Sequence, residues 1–209
     1  MWLRVLAVLV LAIACGHALL PATRPTASVS ELLGVAIERS VARLGREGGY
    51  EEDAAARTPL PVQLGPLGRA LHGTGMGERV STLEAALNRA AERTTAELGP
   101  WLREEAARFV PAEPAAVLAG PPDAATLAFR AAVDPGLEER LRQVAKLAVA
   151  DSGLPEALAR VRQGAARLPL PRDVSLDPVA LVCERVRVAF FAVLADEEAR
   201  LRANAIDDT

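Results

Sequence analysis

Three features of the chain predict an all-α fold, a single irregular helical bundle with short Pro/Gly-rich connectors. Apolar residues recur at helical spacing, most clearly at Val179, Val182, Cys183, Val186, Phe190, Val193, Leu194 and Leu201. No segment shows the strict alternation or β-branched enrichment of a strand. With 51% hydrophobic but only 3% aromatic residues, the interior must be built from Ala, Leu and Val, which favours closely approaching helices.

Residues 1–18 read as an export signal. Arg4 supplies one positive charge, and Val5 to Ala14 is an unbroken apolar run. That run is shorter than the ~20 apolar residues that span a bilayer, but it fits the core of a secretory signal. Two processing readings stand side by side. Ala12-Ile13-Ala14-Cys15 resembles a bacterial lipobox with Ala12 where Leu is usual, which would lipidate Cys15; small residues at Gly16 and Ala18 instead suit cleavage after Ala18. The mass of the mature N-terminus separates them. Residues 19–27 form a tether with two prolines and no periodicity, and residues 28–205 form the helical domain.

Ser28-Val29-Ser30-Glu31 matches a capping box, and Leu33, Ile37, Val41 and Leu44 continue a helix that Gly45 ends. The loop after it, through Tyr50 and the acidic Glu51 to Asp53, has room for one short turn. Arg57-Thr58-Pro59-Leu60-Pro61 is an extended strap, and its shape returns at Arg167-Leu168-Pro169-Leu170-Pro171. Val62 to His72 reads as a weak helix interrupted at Gly65-Pro66. Gly73 to Gly77 is a hinge, since no strand precedes it and no Gly-Lys-Ser/Thr follows, as a phosphate-binding turn requires. Glu78 to Leu98 is a helix with an Ala-rich stripe of Val80, Leu83, Leu87, Ala90 and Thr94. Gly99-Pro100 is expected to break or kink it before Trp101 to Val110 resumes.

The organising stretch is Pro111 to Arg130. Pro114 suits the first turn of a short helix, and Gly120 is expected to close that helix in a left-handed conformation before Pro121-Pro122 forbids continuation. Asp123 is then the expected N-cap for Ala124 to Arg130. Asp134-Pro135-Gly136 reads as the start of a further helix with the stripe Leu137, Leu141, Val144 and Ala148, ending at Gly153. Pro155 to Gln163 is a short helix. The longest runs from Pro178 to about Asn204 and anchors the core through Phe190 and Phe191, each such burial contributing ~2–3 kcal/mol.

Composition excludes several functions. The net charge of −3 provides no field for nucleic acid, and the dominance of Arg, with Lys146 the only Lys, reads as codon composition rather than phosphate recognition. With Cys15 either removed with the signal or carrying a lipid, Cys183 is the only free cysteine and reads as an inert buried thiol. His72 is the only histidine of the helical domain and has no carboxylate three residues away, so neither a metal site nor a cofactor is expected. No G-x-S-x-G and no Ser with a plausible His partner occurs, and no catalytic residue is assigned.

Several blocks together resemble a bacterial family catalogued as domain of unknown function 4197. They are Arg57 with Pro59-Leu60-Pro61; Glu84 with Leu87-Asn88-Arg89-Ala90-Ala91-Glu92; Gly120-Pro121 with Asp123-Ala124-Ala125-Thr126; Phe129-Arg130; and Glu197-Glu198 with Leu201-Arg202-Ala203-Asn204. The chain departs from the family pattern at Leu87, usually Met, at Pro114 after Glu113, usually an Asp-Ala pair, and at Ala205, commonly Pro. The resemblance implies a helical fold and export in Gram-negative bacteria, and it implies no activity.

The polar residues of these blocks make a candidate cluster: Glu84, Asn88 and Glu92 on one helix face with Arg89 beside it; Asp123, Thr126 and Arg130; and Glu197, Glu198, Arg202 and Asn204. If the faces meet, they build a buried or cleft-lining network; otherwise they are caps and ion pairs on solvated faces. The favoured function is a non-catalytic periplasmic module that binds an unknown protein or small ligand, with a membrane attachment only through lipidated Cys15. The alternative is an enzyme using Glu92, Asp123, Arg130 and Glu198 as acid–base groups.

Overall fold

The sharpest departure from local expectation is that two prolines sit inside continuous helices. A computed structural model describes residues 28–56, 65–166 and 177–207; the signal segment, Cys15, the tether and both Pro straps lie outside the described residues. Among those described there are eight helices and no strand: α1 Val29–Leu44, α2 Gly49–Glu52, α3 Gly65–Gly73, α4 Gly77–Arg108, α5 Pro114–Ala119, α6 Ala124–Ala150, α7 Leu154–Ala165 and α8 Pro178–Asp207.

Helix α4 does not break at Pro100, and α6 runs through Pro135, so Asp134 begins no new helix. Both prolines are exposed, and so are Ala96 and Ala131, the residues four positions earlier. The carbonyls that lose an N–H partner therefore face water, while the apolar stripe stays in phase through Leu98, Leu102, Val133 and Leu137. Three helix ends also differ from the sequence reading. Helix α4 stops at Arg108 instead of Val110, α6 ends at Ala150 instead of Gly153, and α8 continues to Asp207.

The elbow is present, but it is built differently from the local reading. Helix α5 ends at Ala119 and α6 starts at Ala124, yet Gly120 is extended (φ −78°, ψ −169°) instead of left-handed. The Asp123 side chain makes no capping hydrogen bond. The α6 N-terminus is instead met by a carboxylate from α8, described below.

Helix α4 packs against α1, α3, α6, α7 and α8, and α8 against α1, α4 and α6. These two long helices form the axis, with α1 and α6 alongside. Tyr50, Phe129 and Phe190 are the largest fully buried side chains. Phe109 meets Phe129 and Phe190 meets Phe191 edge-on, each pair with centroids 5.6 Å apart. The capping box forms as expected: Glu31 N–H donates to Ser28 Oγ at 3.2 Å, and Ser28 N–H donates to Glu31 Oε2 at 2.7 Å. The stripe Val80, Leu83, Leu87, Ala90 and Thr94 is buried along its length.

Small residues let α1 and α4 approach closely. A Cβ on Gly99 would lie 2.9 Å from Val41 Cγ1, and one on Gly45 would lie 3.2 Å from the Ala96 backbone. Gly99→Ala should therefore destabilise the chain by ~1–2 kcal/mol in urea unfolding, because overpacking outweighs the ~1 kcal/mol gained in helix propensity. In a Val41→Ala background, where the clash is gone, the same change should instead stabilise. Equal effects in both backgrounds would count against this contact.

Candidate functional site

The buried charges of this fold are concentrated where helix ends meet the two axial helices. Glu198 on α8 is fully buried. Its carboxylate accepts from the Ala125 N–H at 2.9 Å and the Thr126 N–H at 2.7 Å, satisfying two donors that every helix N-terminus leaves without intrahelical partners. One turn further along α8, Arg202 donates to Glu198 Oε1 through Nε (2.9 Å) and Nη2 (2.7 Å). The remaining reach of the guanidinium goes to the end of α5: Nη1 to Leu118 O at 2.7 Å and Nη2 to Val117 O at 3.0 Å. One i,i+4 pair thus caps α6 at its start and α5 at its end. Asp123 lies half-buried in the turn, and Arg130 stacks over the Phe191 ring at 5.2 Å.

A second group lines a cleft of about 450 Å³ between α4 and the α1–α2 loop, walled by Glu47, Gly48, Glu51, Glu52, Ala85, Asn88, Arg89 and Glu92. Gly48 turns the loop with φ 75°, a conformation that a side chain would strain. Glu92 is only 7% exposed. Burial raises its pKa, opposed by hydrogen bonds from the backbone of Tyr50 and Gly48. Asn88 Oδ1 accepts from Arg185 Nη2 at 2.9 Å, and the Arg185 guanidinium lies 5.9 Å from the Tyr50 ring centroid. The Tyr50 hydroxyl pairs with Thr95 Oγ1 at 2.6 Å, and burial pushes the Tyr50 pKa up. Arg89 Nη2 donates to Ser152 O at 3.0 Å, tying the cleft wall to the α6–α7 turn.

A third group centres on Arg43 of α1. Its guanidinium binds Asp53 (Nη2 to Oδ2, 2.6 Å), Asp196 (Nη1 to Oδ2, 2.9 Å) and Glu197, with Arg200 also contacting Asp196 and Glu197. Burial opposes the charge on Arg43, but the three carboxylates outweigh it and raise its pKa. The same bonds, with the N–H groups of Ala55 and Ala56, outweigh burial at Asp53 and lower its pKa.

The expected cluster is thus brought together in parts. Thr126, Glu198 and Arg202 meet directly, Asn88, Arg89 and Glu92 share the cleft, and Glu197 belongs to the Arg43 group. Glu84 and Asn204 are exposed. Asp123, Arg130 and Glu198 are not among the residues lining the cleft that holds Glu92. Reading the sequence missed Arg43, Asp53, Asp196 and Arg185. Arg185 was legible, because it stands three residues after Val182 on the buried stripe of α8. Arg43 left no such mark, since it ends an ordinary amphipathic helix. Cys183 is half-buried with its pKa raised by burial, and His72 is exposed. Among the described residues, no three His, Cys, Asp or Glu are placed to hold a metal ion, and no helix is long and apolar enough to cross a membrane.

Fold and site together define an all-helical module whose internal charges fasten helix ends. The profile of the family described as "Protein of unknown function (DUF4197)" matches residues 20–209, and the chain belongs to that family. No curated protein and no solved structure matches it.

Two predictions follow from the geometry. Glu198→Ala strands the Arg202 charge and two helix N–H groups, so it should lower unfolding free energy by roughly 3–5 kcal/mol, and Glu198→Gln by roughly 1.5–3, in chemical denaturation. Losses below about 1 kcal/mol in both would refute the tie. For Glu92 the folded pKa is raised, so the carboxyl favours folding while protonated. That contribution is complete below the ordinary value of 4.5 and is lost as pH rises through the raised one. Glu92→Gln should therefore be at least as stable as the parent at about pH 7, with the advantage shrinking by about pH 4; the opposite trend in urea midpoints would overturn the assignment.

Proposed function

We propose that the chain is an exported, non-catalytic binding module that engages a partner or ligand through the cleft between α4 and the α1–α2 loop. The observation that carries this reading is how the buried carboxylates are engaged. Glu198 accepts two backbone N–H groups and a forked guanidinium, which commits it to holding helices instead of exchanging protons with a substrate. Glu92, by contrast, borders an opening of about 450 Å³, beside Asn88 and Arg89. Four glutamates line this opening with one arginine, Arg89, and Glu52 among them pairs with Arg46 at 2.8 Å. The charge balance favours a ligand that brings positive charge and several hydrogen-bond donors. Export rests on the N-terminal sequence, with attachment to a membrane through Cys15 in the lipobox reading.

The acid–base alternative draws support from the raised pKa of Glu92, which suits a proton-transfer group. Titrating the processed chain with agmatine and with a tri-arginine peptide should shift amide resonances at Gly48, Tyr50, Asn88 and Glu92. The Glu51→Gln/Glu92→Gln double variant should weaken binding about tenfold or more, as expected for lost charge-assisted hydrogen bonds. Shifts confined to other surfaces, or equal affinity in the double variant, would overturn the cleft assignment.

A further inference from the structure

We infer that residues 112–122 form a lid that opens while the bundle stays folded, with the Arg202 guanidinium as its catch. This stands apart from the cleft reading, since neither α5 nor the Glu198–Arg202 pair lines the cleft.

Helix α5 contributes no fully buried residue; only Val117 and Leu118 are half-buried against the core. Its stems are fixed more firmly than its body. On one side Phe109 packs edge-on against Phe129 and Pro111 is buried; on the other Ala124 N–H donates to Pro121 O at 3.0 Å as α6 begins. Ala112, Glu113, Ala115, Ala116, Ala119, Pro121 and Pro122 are exposed. Among the described residues, the polar ties from α5 to another helix are the two bonds from Arg202 to Leu118 O and Val117 O.

The catch and the cap are separable. Glu198 keeps its two bonds to the α6 N–H groups whether or not Arg202 holds α5, so releasing the lid leaves the α6 N-terminus satisfied. The closed state also carries a cost at this place: Thr126 Oγ1 is buried without a hydrogen-bond partner. Opening that admits water beside the Glu198–Arg202 pair would relieve it. The extended Gly120 and the two prolines after it supply a stiff crank about which the short helix can swing as a unit. A segment with few buried apolar contacts and one removable polar fastening belongs to the low-stability end of the molecule.

Native-state hydrogen exchange on the full chain tests this. In the wild-type protein, the amides of Val117 to Gly120 should exchange at a rate nearly independent of low guanidinium concentrations, while those of Leu87 and Leu98 in α4 accelerate with it. Arg202→Gln should speed the lid amides roughly ten- to a hundredfold, the range expected for lost charge-assisted bonds, and speed the Ala125 and Thr126 amides, whose acceptor Glu198 loses its counter-ion in this variant, by a clearly smaller factor. Arg202→Lys, which keeps the charge but lacks the fork, should fall between. The inference is overturned if lid and α6 amides accelerate together in Arg202→Gln, or if the wild-type lid amides share the denaturant dependence of α4. Should Arg202→Gln fail to fold, the wild-type dependence decides alone.

Discussion

A carboxylate with no exposure to solvent has to be satisfied where it lies, and in this fold that requirement falls on Glu198. An unpaired buried charge would cost several kcal/mol, a large fraction of the total stability of a domain. The two N–H groups at the start of α6 and the Arg202 guanidinium meet the demand together, and each arrives only if its helix is in place. The position of α6 relative to α8 is thereby fixed to within a hydrogen bond. Arg202 then carries the constraint one step further, to the carbonyls that close α5. Two helix ends are set by one turn of α8.

Such ties matter more here than in an aromatic core. Ala, Leu and Val faces bury area efficiently but slide past one another with little penalty, since apolar burial is non-directional. At the α1–α4 crossing the contact is set by shape, with Gly45 and Gly99 admitting the facing helix. Elsewhere, directional bonds supply the register: Glu92 against the α2 backbone, Arg43 between Asp53 and the acids of α8, and Arg89 on the α6–α7 turn. The side chains that look most like chemistry in the sequence are largely those that define orientation.

This explains which parts of the fold were legible. Helix faces and the Ser28 capping box were, because both are local patterns whose partners lie within a turn or two of the chain. Pro135, read as a helix start, and the break offered as one outcome at Pro100 misled because a helix breaker is judged locally, whereas its effect depends on whether the orphaned carbonyl faces water, a property of the finished bundle. Asp123 stands at the right place for a cap, but the cap comes from Glu198, 73 residues beyond Ala125. The blocks around Gly120 and Glu198 were each recognisable; that they meet was not, since no spacing rule connects an elbow to a helix so distant in sequence. The Arg43 group was hidden for the same reason, its acids lying 10, 153 and 154 residues away.

Glu92 and Glu198 show how one residue type takes two roles in the same core. Both are buried, and both receive backbone N–H groups at the start of another helix. The difference lies in the fourth side. Glu198 has Arg202 there, closing its hydrogen-bonding capacity and removing it from contact with anything outside. Glu92 has Arg89 nearby as a weaker electrostatic neighbour, Glu47 repelling it, and an open cleft in front. A carboxylate whose charge is incompletely compensated by its own protein is the one that gains from a cation brought by another molecule, since each added donor offsets desolvation already incurred in folding. It is this asymmetry in compensation, more than the number of acids around the opening, that separates the α4 cleft from the Glu198 site and underlies the proposal that a cationic ligand docks there.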